Sequence, residues 1–381
     1  MSKKKIIQVV GVLNRGGAEL MLLDIAKNIS NKYKLIFLVN YKNKSGTKEG
    51  VLDQEFLDLG CEIHYIETQW SNGLINYYYN FKNILKEIGN VDIIHIHINV
   101  KSGIVSLYAK IFKINKIIVH SHGEINYGYN NLRSIILSAE FFFQRQLIRL
   151  FATDFWACSL KAGKTLFRNK RDKDIIVIKN AINIDSYEDV KESEIVSFKR
   201  EMECQNKLLI GSVGRVVKRK NLSFVIDVLK ELKKNKIDFF FINVGQVDDE
   251  DYFKEVEKKI YEYDLNENIL NLGLRYDIPK LMSSLDIFIS PALNEAFGIV
   301  AIEAQAAGVA TILSNQFPRE VDLNLGLVSF IDDFDPITWR DKILENKDFK
   351  KIDRKIIREA FEEKGFDIRE NIIVIEELYE N

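Results

Sequence analysis

Short apolar runs alternate along the chain with segments whose apolar positions recur at helical spacing. This is the pattern of strands and helices in succession. Residues 6–12 predict a first buried strand, 14–19 a glycine-containing loop and 20–29 a helix. Strands are expected at 33–40, 62–66, 92–98, 116–120 and 154–157, with helices at 52–59, 77–88, 103–112 and 132–151 between them. The alternation resumes with strands at 208–213, 239–244, 269–272, 286–290 and 310–313 and helices at 222–233, 252–263 and 299–307. Strands that alternate with helices predict parallel sheets covered on both faces. A 381-residue chain that restarts this pattern halfway predicts two domains, each with its own core.

The chemistry concentrates in residues 290–308, SPALNEAFGIVAIEAQAAG. Pro291 stops the preceding strand, because it cannot donate to a sheet ladder. Gly298 opens a helix, and Gly308 suits its C-terminal end. The free N–H groups of Gly298, Ile299 and Val300 would favour a phosphate above the strand end. Glu295 lies in the loop and Glu303 one to two turns into the helix. Residue types alone also fit a buried strand and helix with two solvated glutamates. A second strand–loop–helix unit, 208–233, carries Arg215, Lys218, Arg219 and Lys220 in its loop. It reads as a diphosphate cradle or as an ordinary solvated basic loop.

Charge changes the picture in one respect. Residues 1–190 hold 26 Lys+Arg against 18 Asp+Glu, and the remainder 28 against 37. The basic half suits an anionic surface or substrate, and the acidic half argues against general nucleic-acid binding. Cys61, Cys158 and Cys204 form no metal-binding pattern and fit a reducing cytosol. No apolar stretch reaches spanning length. In the first half, Gly16-Gly17 makes a tight turn or a ligand-facing loop, and the missing GxGxxG pattern leaves a nicotinamide site poorly supported. His95 and His97 share one face of a strand, but no third ligand at suitable spacing accompanies them, so no metal is expected. His122 follows the strand at 116–120, where ligands of open α/β sheets bind; a hydrogen-bonded turn histidine is the other reading. The helix at 132–151, with Phe141-Phe-Phe143 among Arg133, Arg145 and Arg149, is either core or membrane-facing.

The run E-A-F-G-x-x-x-x-E followed by A-x-A-A-G at 295–308 resembles the signature of retaining, nucleotide-sugar-dependent glycosyltransferases of the large family 4. The resemblance runs over nearly the whole chain and is nearest to bacterial exopolysaccharide and capsule transferases. It implies the GT-B fold, an α/β architecture of two Rossmann-like domains facing each other across a cleft. The expected parts are an acceptor-side domain at 1–187, a linker at 188–205 and a nucleotide-sugar domain at 206–351. A C-terminal helix at 352–381 is expected to pack back towards the first domain.

The resemblance further implies a nucleotide diphosphate sugar, UDP-linked, as donor and a glycan or lipid-linked hydroxyl as acceptor. The enzyme is expected in the cytoplasm, either free or peripheral on the anionic inner face of the cytoplasmic membrane. Arg215, Lys220 and the helix start at Gly298 would hold the leaving diphosphate, with no metal or other cofactor. Glu303 would bind the ribose hydroxyls, and Glu295 would position the donor sugar. His122 would touch the donor sugar or its phosphate. Gly16, Gly17, Phe297, Ile299 and Val300 would complete the donor site. Asn183 and Gln246-Val247 depart from the family pattern, leaving open a carboxylate role and the contacts to the base. A sugar-nucleotide epimerase on the same scaffold and a silent glycan-assembly partner remain alternatives.

Overall fold

A computed structural model describes residues 3–42, 47–123, 132–168, 170–295, 297–349 and 352–381, the side chains of 132–136 excepted. The chain forms two compact units, one of residues 1–181 with 368–381 and one of residues 182–367.

The first unit holds a seven-stranded sheet. Its strands are β1 (Lys4–Val10), β2 (Tyr33–Tyr41), β3 (Glu62–Glu67), β4 (Ile93–Ile96), β5 (Lys116–Ser121), β6 (Asp154–Ala157) and β7 (Ile176–Val177), in the order β3-β2-β1-β4-β5-β6-β7. Every pairing is parallel. Parallel strands need crossover helices, and those helices bury both faces. This explains why β2 carries the unbroken apolar run Leu35–Val39. Ile7, Val9, Ile94, Ile96, Ile117 and Val119 pack on one face with Tyr77, Phe81, Val105 and Ile148. Ile6, Phe37, Ile93, Ile118 and Trp156 pack on the other with Leu22, Ile372 and Tyr379.

The second unit holds β8 (Leu208–Val213), β9 (Phe239–Val244), β10 (Ile269–Asn271), β11 (Ile287–Ser290), β12 (Ala310–Ser314) and β13 (Val328–Ile331). The order is β10-β9-β8-β11-β12-β13, again parallel throughout. Its core joins Ile210, Phe241, Ile289 and Ile312 to Val225, Leu229, Val256 and Trp339 from the helices. Both sheets are therefore doubly wound, and the strand order reverses between β1 and β4 and between β8 and β11. Ligands of such sheets bind beyond the strand ends at these reversals.

Two expectations differ from the structure, and a third is refined by it. The polar stretch 188–205 is not an open linker. It contains the helix Glu192–Glu201, whose Ile195 and Phe198 are buried in the second unit. The single C-terminal helix is two, Arg354–Lys364 and Ile368–Glu380, broken where Gly365 takes φ +65°. Only the latter belongs to the first unit, through Ile368, Ile372, Ile375 and Tyr379. The helix Leu132–Phe151 has the expected limits and is two-faced: Leu147 and Ile148 are buried, while Phe142, Phe143 and Leu150 are exposed.

Candidate functional site

In the second unit the loops after β8 and β11 meet at the strand-order reversal. Leu293 N–H donates to the Arg219 carbonyl at 2.8 Å, tying the loops together. Gly214 and Gly245 have φ +149° and +151°, and a Cβ on Gly245 would lie 2.0 Å from the Gly214 carbonyl oxygen. Glycine at 245 is thus what lets the two chain segments approach. Lys220 folds back over Gly214 and forms an ion pair with Glu295. The two residues are 75 positions apart in sequence. Their side chains are only 18% and 11% exposed. Arg215, more exposed, pairs with Asp248 at 2.9 Å.

Beyond Glu295 the chain turns into the helix Ile299–Ala306 through Gly298, whose φ is +85°. A Cβ there would sit 2.3 Å from the Phe317 ring, so only glycine fits. Gly298 has no side chain to cap the helix. Its carbonyl accepts from Ala301 N–H, and the N–H groups of Ile299 and Val300 stand at the open first turn. Phe297 is buried against Phe366 and serves as packing. Glu303 lies further along the helix, partly buried. Ala296, within the signature run, lies outside the described residues. The structure therefore brings Lys220, Glu295 and the start of this helix to one reversal point. Lys220 and Glu295 offer one cation and one carboxylate in a mostly enclosed setting, where charge on a ligand is felt strongly.

In the first unit Gly16 precedes the helix Gly17–Asn28 in the loop after β1. Its φ of −117° needs no glycine, and nothing within 4 Å would oppose a Cβ on Gly17. The loop after β1 flanks the β1–β4 reversal, as does His97 just past β4. His122 follows β5.

Four of the chain's five histidines gather here. His97 Nδ1 and His122 Nε2 are 2.7 Å apart, and His97 Nε2 is 2.7 Å from Gln8 Oε1. His95 Nδ1 is 2.8 Å from the Tyr379 hydroxyl, and His95 Nε2 is 3.3 Å from His120 Nδ1. Burial lowers the pKa of all four below the ordinary value. His122 is brought down to about 4. His95, His97 and His120 go down by burial first and neighbouring histidines second. All four are neutral at neutral pH.

The sequence expectation of a histidine pair without a third ligand needs correction. One nitrogen from each of His95, His97 and His120 can be chosen so that all three lie within 4.8 Å of one another. Sequence reasoning missed His120, Gln8 and Tyr379. The signal was the repeated spacing of two at the ends of β4 and β5, since residues two apart in extended chain share a face. The register Gln8↔His95 then places Gln8 beside them.

Residues 196–360 match the family model described as glycosyl transferases group 1. Over its whole length the chain is similar to the putative glycosyltransferase EpsF of Bacillus subtilis, 26% identical over 99% of this chain and 97% of that protein. It is also similar to the capsular polysaccharide biosynthesis glycosyltransferase CapH of Staphylococcus aureus, 26% identical over 98% of each. Among solved structures, Anabaena HepE in complex with UDP-glucose superposes with a TM-score of 0.79 at 20% identity, covering 99% of this chain and all of that one. A glycosyltransferase from Rickettsia africae gives the same score and identity over 100% and 98% of the two chains. The chain carries a glycosyl transferases group 1 domain and is a glycosyltransferase built, in the GT-B manner, from two Rossmann-like units.

Proposed function

We propose that this enzyme transfers a sugar, with retention of anomeric configuration, from a UDP-linked donor to a hydroxyl of a glycan or lipid-linked acceptor during synthesis of a bacterial surface polysaccharide. The observation that carries the reading is the enclosed Lys220–Glu295 pair at the β8–β11 reversal, beside the open start of the helix Ile299–Ala306. The names of EpsF and CapH support the polysaccharide class, and the HepE complexes with UDP and UDP-glucose support the donor.

In this reading a diphosphate enters between the loops, and Lys220 moves from Glu295 towards it. Arg215 and the N–H groups of Ile299 and Val300 share the negative charge that develops as the glycosidic bond breaks. Donors fixed before the reaction are worth more there than mobile water. Glu295, released from Lys220, meets the sugar, and Glu303 the ribose hydroxyls. By the family resemblance, Gly16, Gly17 and His122 also contact the donor. These cations do the work a divalent ion would do, so the reaction proceeds without metal.

A thermal-shift panel of UDP, GDP, CDP and their sugars tests the donor, because a ligand that binds only the native state raises its stability. Turnover of the stabilising donor is then followed in excess EDTA. Stabilisation by UDP compounds and EDTA-resistant transfer support the reading. A panel with no stabilising uridine nucleotide, or activity that returns only with Mn²⁺ or Mg²⁺, overturns it.

A further inference from the structure

The three buried histidines of the first unit and the partly buried His122 form one continuous hydrogen-bonded chain, and its proton positions follow from a single group. The oxygen of the Gln8 carboxamide faces His97 Nε2 at 2.7 Å, and its nitrogen faces the Tyr379 hydroxyl at 3.1 Å. A carboxamide oxygen can only accept and its nitrogen can only donate. His97 therefore carries its proton on Nε2, and its Nδ1 accepts from His122 Nε2 at 2.7 Å. On the other side Tyr379 accepts from Gln8, so its own hydrogen goes to His95 Nδ1 at 2.8 Å. His95 then holds its proton on Nε2 and donates to His120 Nδ1 at 3.3 Å. All four rings are protonated on Nε2. The chain ends in two buried atoms with no hydrogen-bond partner among the described residues, the Nε2–H of His120 and the bare Nδ1 of His122. Low polarity around such a chain strengthens each link.

We propose that Gln8 and Tyr379 are positioning residues that lock His122 in its Nε2–H form, which leaves Nδ1, a hydrogen-bond acceptor, as its one unspent polar atom. A group that pairs with Nδ1 must bring its own hydrogen, as a sugar hydroxyl does and a phosphate oxygen at neutral pH does not. Tyr379 lies in the helix Ile368–Glu380, 257 positions from His122 in sequence, and acts through Gln8 and His97. The inference rests on the reading that His122 meets the donor, but its test does not.

The test is a long-range proton–nitrogen correlation spectrum of the full, ligand-free chain labelled with ¹⁵N-histidine at pH 7.5. His64 supplies the single signal outside the cluster. The expected result is four neutral rings, all protonated at Nε2. Reversing Gln8 would reverse every link, so four rings protonated at Nδ1 overturn the proposal. Imidazolium signals, or ring nitrogens holding a divalent ion, overturn it as well. In Tyr379→Phe the Gln8 nitrogen loses its acceptor and the carboxamide is free to turn. His97 and His122 should then show Nδ1–H signals alongside Nε2–H. If both stay wholly Nε2–H, Tyr379 is not a positioning residue. A failed donor panel leaves all these spectra unchanged, so the two failures are distinguishable.

Discussion

Replacing Lys220 with Met removes the cation and keeps most of the stem. Glu295 then loses its partner in a site that leaves its side chain 11% exposed. Removing one partner of a buried ion pair costs about 3–5 kcal/mol, mainly from the stranded charge. With this pair not fully enclosed, we expect about 3 kcal/mol for Lys220→Met. Glu295→Gln strands the ammonium in the same way and should cost a similar amount. The double variant strands nothing and should return to within about 1 kcal/mol of wild type, since apolar or neutral replacement of a buried pair is often near neutral. Turnover should behave differently. Losing one donor to a developing negative charge costs roughly 10²–10³ in rate, and the double variant has no reason to regain it. Urea unfolding of all four proteins, read by hydrogen exchange of peptides from β8 and β11, gives the stabilities. Initial rates with the stabilising donor give the turnover. The argument fails if the two single losses simply add in the double variant, or if Lys220→Met turns over normally.

Three further outcomes are expected. Acid should unfold the first unit. The His122 pKa is near 4 in the folded state, below an unfolded value of about 6.5, so the unfolded chain takes up the proton first as pH falls. Stability is full above about pH 6.5, and His122 alone should remove about 2 kcal/mol by pH 5. The other three rings act in the same direction. Equal urea midpoints at pH 7.5 and 5 for peptides of β4 and β5 would refute this. Gly298→Ala should destabilise the second unit by about 1–3 kcal/mol, from a left-handed φ and the clash with Phe317; an unchanged melting curve would count against the tight turn. Anionic vesicles should sediment the protein more than neutral ones do. Each basic residue near such a surface adds about 1 kcal/mol, screened by salt. Phe142→Ser, at a side chain 64% exposed, should lower binding without unfolding; equal recovery with both lipids would refute a membrane face.

Most of the architecture was legible because a parallel sheet buried on both faces writes each strand as an apolar run. The strands β6, β8 and β9 match their expected limits residue for residue. The strand β13 and the helix Pro336–Asn346 went unread: in β13 three of four residues are only partly buried, so its run lacks contrast. The helix break at Gly365 was missed because periodicity continues on both sides of it. At the site, residues 290–308 pointed to Glu295 and Gly298, and the basic loop pointed to Lys220. That Lys220 and Glu295 touch could not be read, since only the β8–β11 neighbour relation brings them together. The histidines show the same limit. Spacing of two placed His95 and His97 on one face, but their partners arrive from β1, β5 and the helix Ile368–Glu380.

That last helix sets an order of events during synthesis. The first unit is closed by residues 368–381, yet residues 182–367 are made in between. At about 5–20 residues per second, the ribosome needs roughly 10–40 s to cross that interval. Throughout it the nascent first unit lacks Tyr379, leaving Trp156 and Tyr33 without the ring that packs on each. The side chains of Gln8 and His95 also wait for their hydroxyl. The second unit, with all its strands contiguous in sequence, can finish while the first remains open. A chaperone bound to the nascent chain should therefore favour the earlier-made half, and a chain stopped before Ile368 should be cleared through the unit that was translated first.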